Sequence, residues 1–256
     1  MRIIGCQLDI QWENKEANHA NVCTLLRKAS PSPGSLIILP EMFATGFSMN
    51  VDAITDDRDR ITQKFLARIA GGYKAYVLAG VVTRCEDGRG LNQAVVYKPS
   101  GQELARYSKL YPFSYAGETG HYAPGTGIET FVCHAFKVAP FICYDLRFPE
   151  AFRAATRQGA QVLAVIANWP AARESHWTSL LKARAIENQS YVIGVNRCGK
   201  DPNHAYSGRS RIIDPRGKIL KDAGSAEGWI EAELDLQELI GYRKEFPALK
   251  DMRGDL

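Results

Sequence analysis

Short apolar runs rich in β-branched residues alternate with amphipathic stretches along most of the chain, the pattern of an α/β protein. In the first half we predict strands over 2–8, 36–39, 75–83, 93–98 and 103–108, and helices over 14–29 and 61–70. In the second half we predict strands within 132–143, 162–167, 191–195, 212–220 and 229–234, and helices over 148–158, 177–188 and from about 235. The second half therefore echoes the first.

The periodicity alone leaves the layering open. Two half-sheets, each covered by helices on one side, would give a four-layer α-β-β-α sandwich, and a doubly wound open sheet has the same pattern. The chain has 256 residues and no linker divides it, so one domain is favoured, although two are possible by size alone. The last stretch, 242–256, is expected to be a C-terminal tail that either packs on the body or frays.

Composition excludes several classes of protein. Hydrophobic residues make up 45% and charged residues 23% of the chain, ordinary values for a globular protein. The formal net charge of +4 is scattered and forms no basic stripe, so a nucleic-acid partner is not expected. The first apolar stretch is too short for a signal peptide, and no run reaches the ~18 apolar residues of a membrane span. We expect a cytoplasmic protein without a membrane partner.

The six cysteines give no sign of a metal or redox site. They form no CxxC pair, and no histidine stands at metal-ligand spacing, so we expect neither zinc nor any other cofactor. Most should be reduced, buried thiols, because a free cysteine usually behaves as a small apolar residue. A catalytic role for one of them needs further support.

Three reactive side chains come directly after predicted buried strands, where open α/β sheets build their sites. Glu41 follows four apolar residues and a proline, Lys109 ends the second strand of a hairpin, and Cys143 ends a hydrophobic strand just before a helix. Taken singly, each has an ordinary explanation: a capping carboxylate, a solvated lysine and a core thiol. The three together favour a catalytic site.

These residue types suit hydrolysis of an amide. A thiol with a pKa of about 8.5 is mostly protonated at neutral pH, so a nucleophilic Cys143 needs a base, and Glu41 is the candidate. An ammonium group stabilises both the thiolate and the later tetrahedral oxyanion, which is the role expected for Lys109 together with the backbone N–H of Tyr144. Asp145, beside the nucleophile, is expected to fix the turn and not to act as a third acid.

Three segments resemble the catalytic signatures of the nitrilase (carbon-nitrogen hydrolase) superfamily. They are Leu-Pro-Glu-Met-Phe at 39–43, Ser-Lys-Leu-Tyr-Pro-Phe at 108–113 and Ile-Cys-Tyr-Asp-Leu-Arg-Phe-Pro-Glu at 142–150. The resemblance implies one carbon-nitrogen hydrolase domain over 1–256, an α-β-β-α sandwich and a homodimer paired through a helix-bearing face. It also implies that Glu118 is a second glutamate that positions the lysine and the substrate. One departure is Tyr111 and Pro112, where many relatives have His and Leu.

Further segments look like the ω-amidase branch, whose members hydrolyse 2-oxoglutaramate or 2-oxosuccinamate. These segments are Ala-Asn-Trp-Pro at 167–170, His-Trp at 176–177 and Lys-Ala-Arg-Ala-Ile-Glu-Asn-Gln at 182–189. Such a substrate carries a carboxylate that needs a cation. Arg173 is the candidate, with Arg147 as the alternative, although its position at the opening of a helix favours a structural ion pair.

Phe43 and Trp169 are expected to form apolar walls of the substrate pocket, and a core position explains Trp169 equally well. Other enzymes that share these signatures remain open, namely a nitrilase, a carbamoylase or an amidase of deaminated glutathione. A catalytically dead binding module is a further alternative, but such a module would be expected to have lost at least one of Glu41, Lys109 and Cys143.

Overall fold

Two six-stranded sheets form the centre of the protein, and the computed structural model describes them within residues 1–56 and 59–253. The strands are β1 Arg2–Gln7, β2 Leu36–Ile38, β3 Tyr76–Arg84, β4 Gly90–Tyr97, β5 Glu103–Ser108, β6 Phe131–Cys133, β7 Phe136–Ile142, β8 Val162–Ala167, β9 Tyr191–Asn196, β10 Cys198–Lys200, β11 Ala205–Ser207, β12 Arg211–Ile213, β13 Ile219–Asp222 and β14 Gly228–Glu233. The α-helices are α1 Lys15–Ala29, α2 Val51–Ile54, α3 Ile61–Tyr73, α4 Pro149–Arg157, α5 Glu174–Asn188 and α6 Leu236–Glu245.

The first sheet has the order β14-β1-β2-β3-β4-β5 and the second the order β13-β12-β9-β8-β7-β6, while β10 and β11 form a separate hairpin. Strands β1, β2 and β3 are parallel in the first sheet, as are β7, β8 and β9 in the second. The predicted echo between the halves is thus a repeated arrangement of parallel strands flanked by antiparallel ones.

Side chains alternate in direction along the strands of the first sheet, and this explains why its two faces pack against different layers. Ile3 and Leu36 pair across β1 and β2 and join the apolar cluster that includes the second sheet. Their neighbours Ile4 and Ile37 point the other way and pack in the cluster that includes apolar residues of α1 and α3. Because successive side chains of a strand face opposite sides, one face of this sheet packs on its partner sheet and the other on helices.

The second sheet is buried on both faces. Strands β8 and β9 are wholly buried, which fits their uninterrupted apolar runs, and α4 and α5 contribute Phe152, Leu181 and Ala185 to the same cluster. The four layers are therefore helices, sheet, sheet and helices. This confirms the α/β fold and, of the two layerings, the α-β-β-α sandwich.

The predicted elements agree with the observed ones to within one residue at most boundaries, with some additions. Residues 162–167 form β8 as predicted, and α5 begins three residues before the predicted position, at Glu174. Helix α2 and the β10–β11 hairpin were not predicted. The segment 242–256 is only partly a tail, because α6 extends to Glu245 and a 3₁₀ turn spans Ala248–Asp251, while residues 254–256 lie outside the described part of the chain.

The C-terminal stretch that is described contacts the body. The Gln189 amide donates a hydrogen bond of 2.8 Å to the carbonyl of Phe246, and the Arg243 guanidinium donates to the carbonyl of Gln189 at 2.9 Å. None of the helices in 1–56 and 59–253 has the length and apolar character that crossing a membrane requires.

Candidate active site

Glu41, Lys109 and Cys143 converge between the two sheets. Glu41 follows β2 after Leu39 and Pro40, and Lys109 directly follows β5, so both come from the first sheet. Cys143 comes directly after β7 of the second sheet and begins the 3₁₀ turn Cys143–Arg147. The strand ends predicted as reactive therefore meet at one place, although they belong to different sheets.

Lys109 forms a buried ion cluster with two carboxylates. Its Nζ lies 3.0 Å from Oε1 of Glu41 and 2.8 Å from Oε2 of Glu118, and the three side chains are at most 1% exposed. The Asn92 amide donates to Oε1 of Glu41 at 2.7 Å and to Oε1 of Glu118 at 3.0 Å. The cluster therefore fixes each carboxylate through two donors.

The charge of Lys109 is stabilised by its partners. Burial alone would lower the pKa of this ammonium, but the nearby carboxylates of Glu118 and Glu41 raise it well above its usual value. Lys109 is therefore a permanent cation at neutral pH. Its charge also acts on Cys143, since it lowers the pKa of that thiol.

Asn168 links the base candidate to the nucleophile candidate. Its backbone N–H donates to Oε2 of Glu41 at 2.8 Å, its side-chain amide donates to the Glu41 carbonyl at 2.6 Å, and its carbonyl lies 3.9 Å from Sγ of Cys143. Burial raises the pKa of Cys143 well above its usual value, and Glu41 raises it further while Lys109 opposes this. At rest Cys143 is thus a neutral thiol that needs a base.

Two features of the backbone hold this arrangement. Cys143 has φ of 49° and Met42, next to Glu41, has φ of 44°, a left-handed conformation that non-glycine residues rarely adopt. Gly80 of β3 and Gly125 lie against the segments that carry Glu41 and Lys109. A Cβ at Gly80 would lie 2.6 Å from Cα of Glu41, and one at Gly125 would lie 2.8 Å from the carbonyl carbon of Ser108. Only glycine permits these approaches.

A cavity opens above Cys143. Its walls include five Phe, Tyr and Trp side chains and are formed by Phe47, Phe113, Ala116, Cys143, Tyr144, Arg147, Asn168, Trp169, Pro170, Arg173, His204 and Tyr206. Tyr144, Trp169 and Arg173, which were named from the sequence, are among these lining residues. The prediction for Phe43 is wrong, because its ring packs among His19 and Phe65 on the helix side of the sheet. Phe47, four residues later, forms the wall instead.

Two guanidinium groups face this cavity. Arg147 lies 4.9 Å from the ring of Trp169 and contacts Nδ1 of His176 at 3.2 Å, and Arg173 lies 5.5 Å from the ring of Phe113. Within residues 1–56 and 59–253 neither forms an ion pair with a carboxylate. The structural ion pair expected for Arg147 is therefore not formed there, and both cations can meet an anionic group of a ligand.

Asn92, Asn168 and Phe47 are site residues that the sequence analysis missed. Asn168 directly follows β8, so the same strand-end rule that selected Glu41 and Cys143 could have found it. Asn92 and its neighbour Gln93 are buried amides in the otherwise apolar strand β4, and polar residues in such a run are the signal that the sequence offered. In the described part of the chain, no group of three or more His, Cys, Asp and Glu could hold a metal ion.

Comparison with known proteins extends over almost the whole chain. The model of the carbon-nitrogen hydrolase family matches residues 4–244. The chain is 35% identical to a 2-oxoglutaramate amidase of Bacillus subtilis (strain 168), covering 99% of this chain and 98% of the relative. It is 38% identical to Omega-amidase YafV of Yersinia enterocolitica over 98% and 96% of the two chains. A CN-hydrolase superfamily protein of Xanthomonas campestris matches with a TM-score of 0.91 and 30% identity over 99% of this chain and 97% of that one.

Proposed function

The chain belongs to the carbon-nitrogen hydrolase family, and we propose that it releases ammonia from the terminal carboxamide of small 2-oxo acid amides such as 2-oxoglutaramate and 2-oxosuccinamate. The observation that carries this proposal is one cavity that joins Cys143 to the guanidinium groups of Arg147 and Arg173, which form no ion pair with a carboxylate within residues 1–56 and 59–253. A reactive amide and an anionic group of one substrate can occupy it together. The names of the two relatives, 2-oxoglutaramate amidase and Omega-amidase, support the same substrate class.

The reaction proceeds through a thioester. Sγ of Cys143 attacks the carboxamide carbon while Glu41 accepts the thiol proton, and Glu41 then donates that proton to the departing ammonia. Lys109 and the backbone N–H of Tyr144 stabilise the tetrahedral oxyanion. In the second half, Glu41 deprotonates a water that attacks the thioester, and the released thiolate recovers its proton. Glu118 keeps Lys109 charged and oriented, as its 2.8 Å ion pair with Nζ supports.

Substrate selection rests on the cations and the aromatic walls. A 2-oxo acid presents a planar carboxylate, which a guanidinium group binds through two parallel hydrogen bonds. Arg173 is held near Trp169, whose indole N–H donates to the Arg173 carbonyl at 2.8 Å, and Arg147 stacks on the same indole. Both arginines are therefore positioned by Trp169, and we assign them to the substrate carboxylate.

The test is ammonia release from 2-oxoglutaramate, 2-oxosuccinamate, glutamine, asparagine and a simple nitrile. We expect release from the two 2-oxo amides and its complete loss in Cys143→Ala, which should still fold because little volume is removed. Cys198→Ala, at another buried free thiol, is the matched control and should remain active. Full activity of Cys143→Ala would refute the assignment of the nucleophile.

Other results would select the alternatives. Acid formation from the nitrile without a free amide would indicate a nitrilase, and activity confined to a larger amide or a carbamoyl compound would indicate an amidase of deaminated glutathione or a carbamoylase. A dead binding module would be inactive on every substrate, and its Cys143 would react with iodoacetamide no faster than its other cysteines. Each of these outcomes contradicts the proposed substrate class.

We further propose a homodimer that pairs through a helix-bearing face. Exposed apolar residues on α5 and α6 support this, since Ile186 and Ile240 are each 46% exposed. Sedimentation analysis of the wild type and Ile186→Glu tests it, and a monomeric wild type would contradict it.

A cytoplasmic location is supported by the six free cysteines, which suit a reducing compartment, and cell fractionation tests it. A single functional domain is supported by the site's dependence on both sheets.

A further inference from the structure

Asp145 is a fully buried carboxylate that touches both halves of the site. Its Oδ2 accepts hydrogen bonds from the Tyr107 hydroxyl at 2.7 Å and from the backbone N–H of Ile142 at 2.9 Å. Its Oδ1 accepts from the backbone N–H of Tyr111 at 3.0 Å. Burial raises the pKa of Asp145 to about 6, so the group is a carboxylate at neutral pH and can accept all three bonds.

The three donors flank the two reactive residues. Tyr107 lies two residues before Lys109 and Tyr111 two residues after it, while Ile142 comes immediately before Cys143. The Lys109 segment leaves the first sheet and the Cys143 turn leaves the second. One carboxylate therefore ties both sides of the lysine, through the Tyr107 side chain and the Tyr111 backbone, to the backbone that carries the thiol.

The Cys143 turn needs such support. Cys143 has φ of 49°, and residues in this region keep their conformation only when their surroundings determine it. The Asp145 carbonyl also accepts from the backbone N–H of Phe148 at 3.0 Å, which closes the turn on its other side. A buried carboxylate without hydrogen-bond partners would destabilise the fold. The hydrogen bonds to Asp145 therefore have two effects, because they orient the turn and also satisfy the buried charge.

We propose that Asp145, together with Tyr107, is a positioning residue that sets the separation of Lys109 and Cys143 across the two sheets. It does not touch the substrate and transfers no proton. This proposal rests on the proposed roles of Lys109 as oxyanion donor and Cys143 as nucleophile. It goes beyond them because it assigns the geometry of both to a single carboxylate.

The chain offers matched controls for both residues. The Tyr191 hydroxyl, far from the cavity, donates to the Asp235 carbonyl at 3.1 Å and accepts from the Asp235 N–H at 3.4 Å. The Tyr107 hydroxyl likewise donates once and accepts from the Leu110 N–H at 3.4 Å. For the carboxylate, Asp214 is mostly buried and holds the turn between β12 and β13 through the N–H groups of Arg216 and Lys218, each at 2.9 Å.

The experiment compares Asp145→Asn and Tyr107→Phe with Asp214→Asn and Tyr191→Phe. It measures kcat and KM for 2-oxoglutaramate, the free energy of unfolding, and the rate at which iodoacetamide alkylates Cys143. Alkylation is followed by peptide mass spectrometry, with Cys23 and Cys85 as partly exposed internal references. Asparagine turns an accepting oxygen of residue 145 into a donor, and Tyr107→Phe removes one donor while leaving the ring in place.

We expect kcat to fall about 10²-fold in Asp145→Asn, the scale of a misplacement of about 1 Å, and about 10-fold in Tyr107→Phe. KM should change little, and Cys143 alkylation should slow in the same order. The control variants should keep the wild-type kcat even where their loss of stability is as large. Equal loss of kcat in the controls, or an effect on KM alone, would overturn the proposal.

Two complications have defined outcomes. If Asp145→Asn fails to fold, Tyr107→Phe decides, and wild-type kcat in a folded Tyr107→Phe overturns the proposal. If the wild type does not hydrolyse 2-oxoglutaramate, the proposed substrate fails while the alkylation rates still test the positioning. Slower Cys143 alkylation in Tyr107→Phe than in Tyr191→Phe then supports the role of Asp145, and equal rates overturn it.

Discussion

Replacing Gly80 with alanine should displace Glu41 and so test its proposed role as the base. The new Cβ would lie 2.6 Å from Cα of Glu41, whereas Cβ atoms essentially never approach other atoms below 3.0 Å. The Glu41 backbone must retreat by at least the difference, 0.4 Å, and the backbone N of Met42, which is closer still, must move further. Neither β3 nor the Glu41 segment is free to shift, because backbone hydrogen bonds donated by Leu39 and Gly80 join the two segments to each other.

The cost appears in both stability and rate. Overpacking of a well-packed core typically destabilises by about 1–3 kcal/mol. Glu41 is held by Lys109, Asn92 and Asn168, so a backbone shift either breaks these bonds or moves the carboxylate away from the thiol. A misplacement approaching 1 Å costs about 10²-fold in rate, so we expect kcat to fall by roughly that factor.

Ammonia release from 2-oxoglutaramate and urea unfolding measure the two effects. Gly71→Ala is the control, because no atom lies within 4 Å of a Cβ at that position in α3. Alanine there should stabilise the helix by about 0.5–1 kcal/mol and leave kcat unchanged. A Gly80→Ala enzyme with wild-type kcat would refute the reasoning, whether or not its stability falls.

Three further perturbations test the buried site and the fold. Lys109→Met should lower kcat by about 10²-fold or more, the scale of losing one oxyanion donor, and an effect on KM alone would make Lys109 a substrate anchor. Asn92→Ala should lower kcat about 10-fold, because Glu41 and Glu118 each lose a donor, and unchanged kinetics would show that Lys109 alone suffices. Burial lowers the pKa of His19 to about 4, below its unfolded value of about 6.5, so its contribution to stability is present above pH 6.5 and is lost as the pH falls to 4. Because His19 is partly exposed, we expect His19→Phe to reduce this loss of unfolding free energy by about 2 kcal/mol. The control His121→Phe, at an exposed position, should not reduce it. Urea titrations that give the same dependence of the unfolding free energy on pH for both variants would contradict this expectation.

The sequence predicts the strands well where a strand is buried on both faces. Residues 162–167 are apolar throughout because β8 is covered on both faces, and their β-branched residues and short length favour a strand. The β10–β11 hairpin was missed because its strands are three residues long and carry Gly199 and polar side chains, without apolar alternation. Layering could not follow from periodicity, since it depends on which sheet faces which, and the resemblance supplied it.

The site was predicted to the extent that strand ends determine it. Glu41, Lys109 and Cys143 were found because each follows a strand, but the separation of the two sheets that brings them together has no local signal. Phe43 was misplaced because Met42 has φ of 44°, and a left-handed residue reverses the direction in which the following side chains point. Spacing in the sequence cannot predict such a reversal, so Phe47 could not be identified as the wall.

Because Cys143 comes from one sheet and Glu41 and Lys109 from the other, the position of the thiol relative to them depends on how the two sheets pack together. The apolar side chains of Ile3, Leu36 and Leu78 in the first sheet share one cluster with the second. Trimming one of these side chains would alter the packing of the sheets, and so lower the rate of the reaction, without altering any reacting group. Recovery of activity during refolding should therefore report the final docking of the sheets and lag behind the formation of either sheet alone.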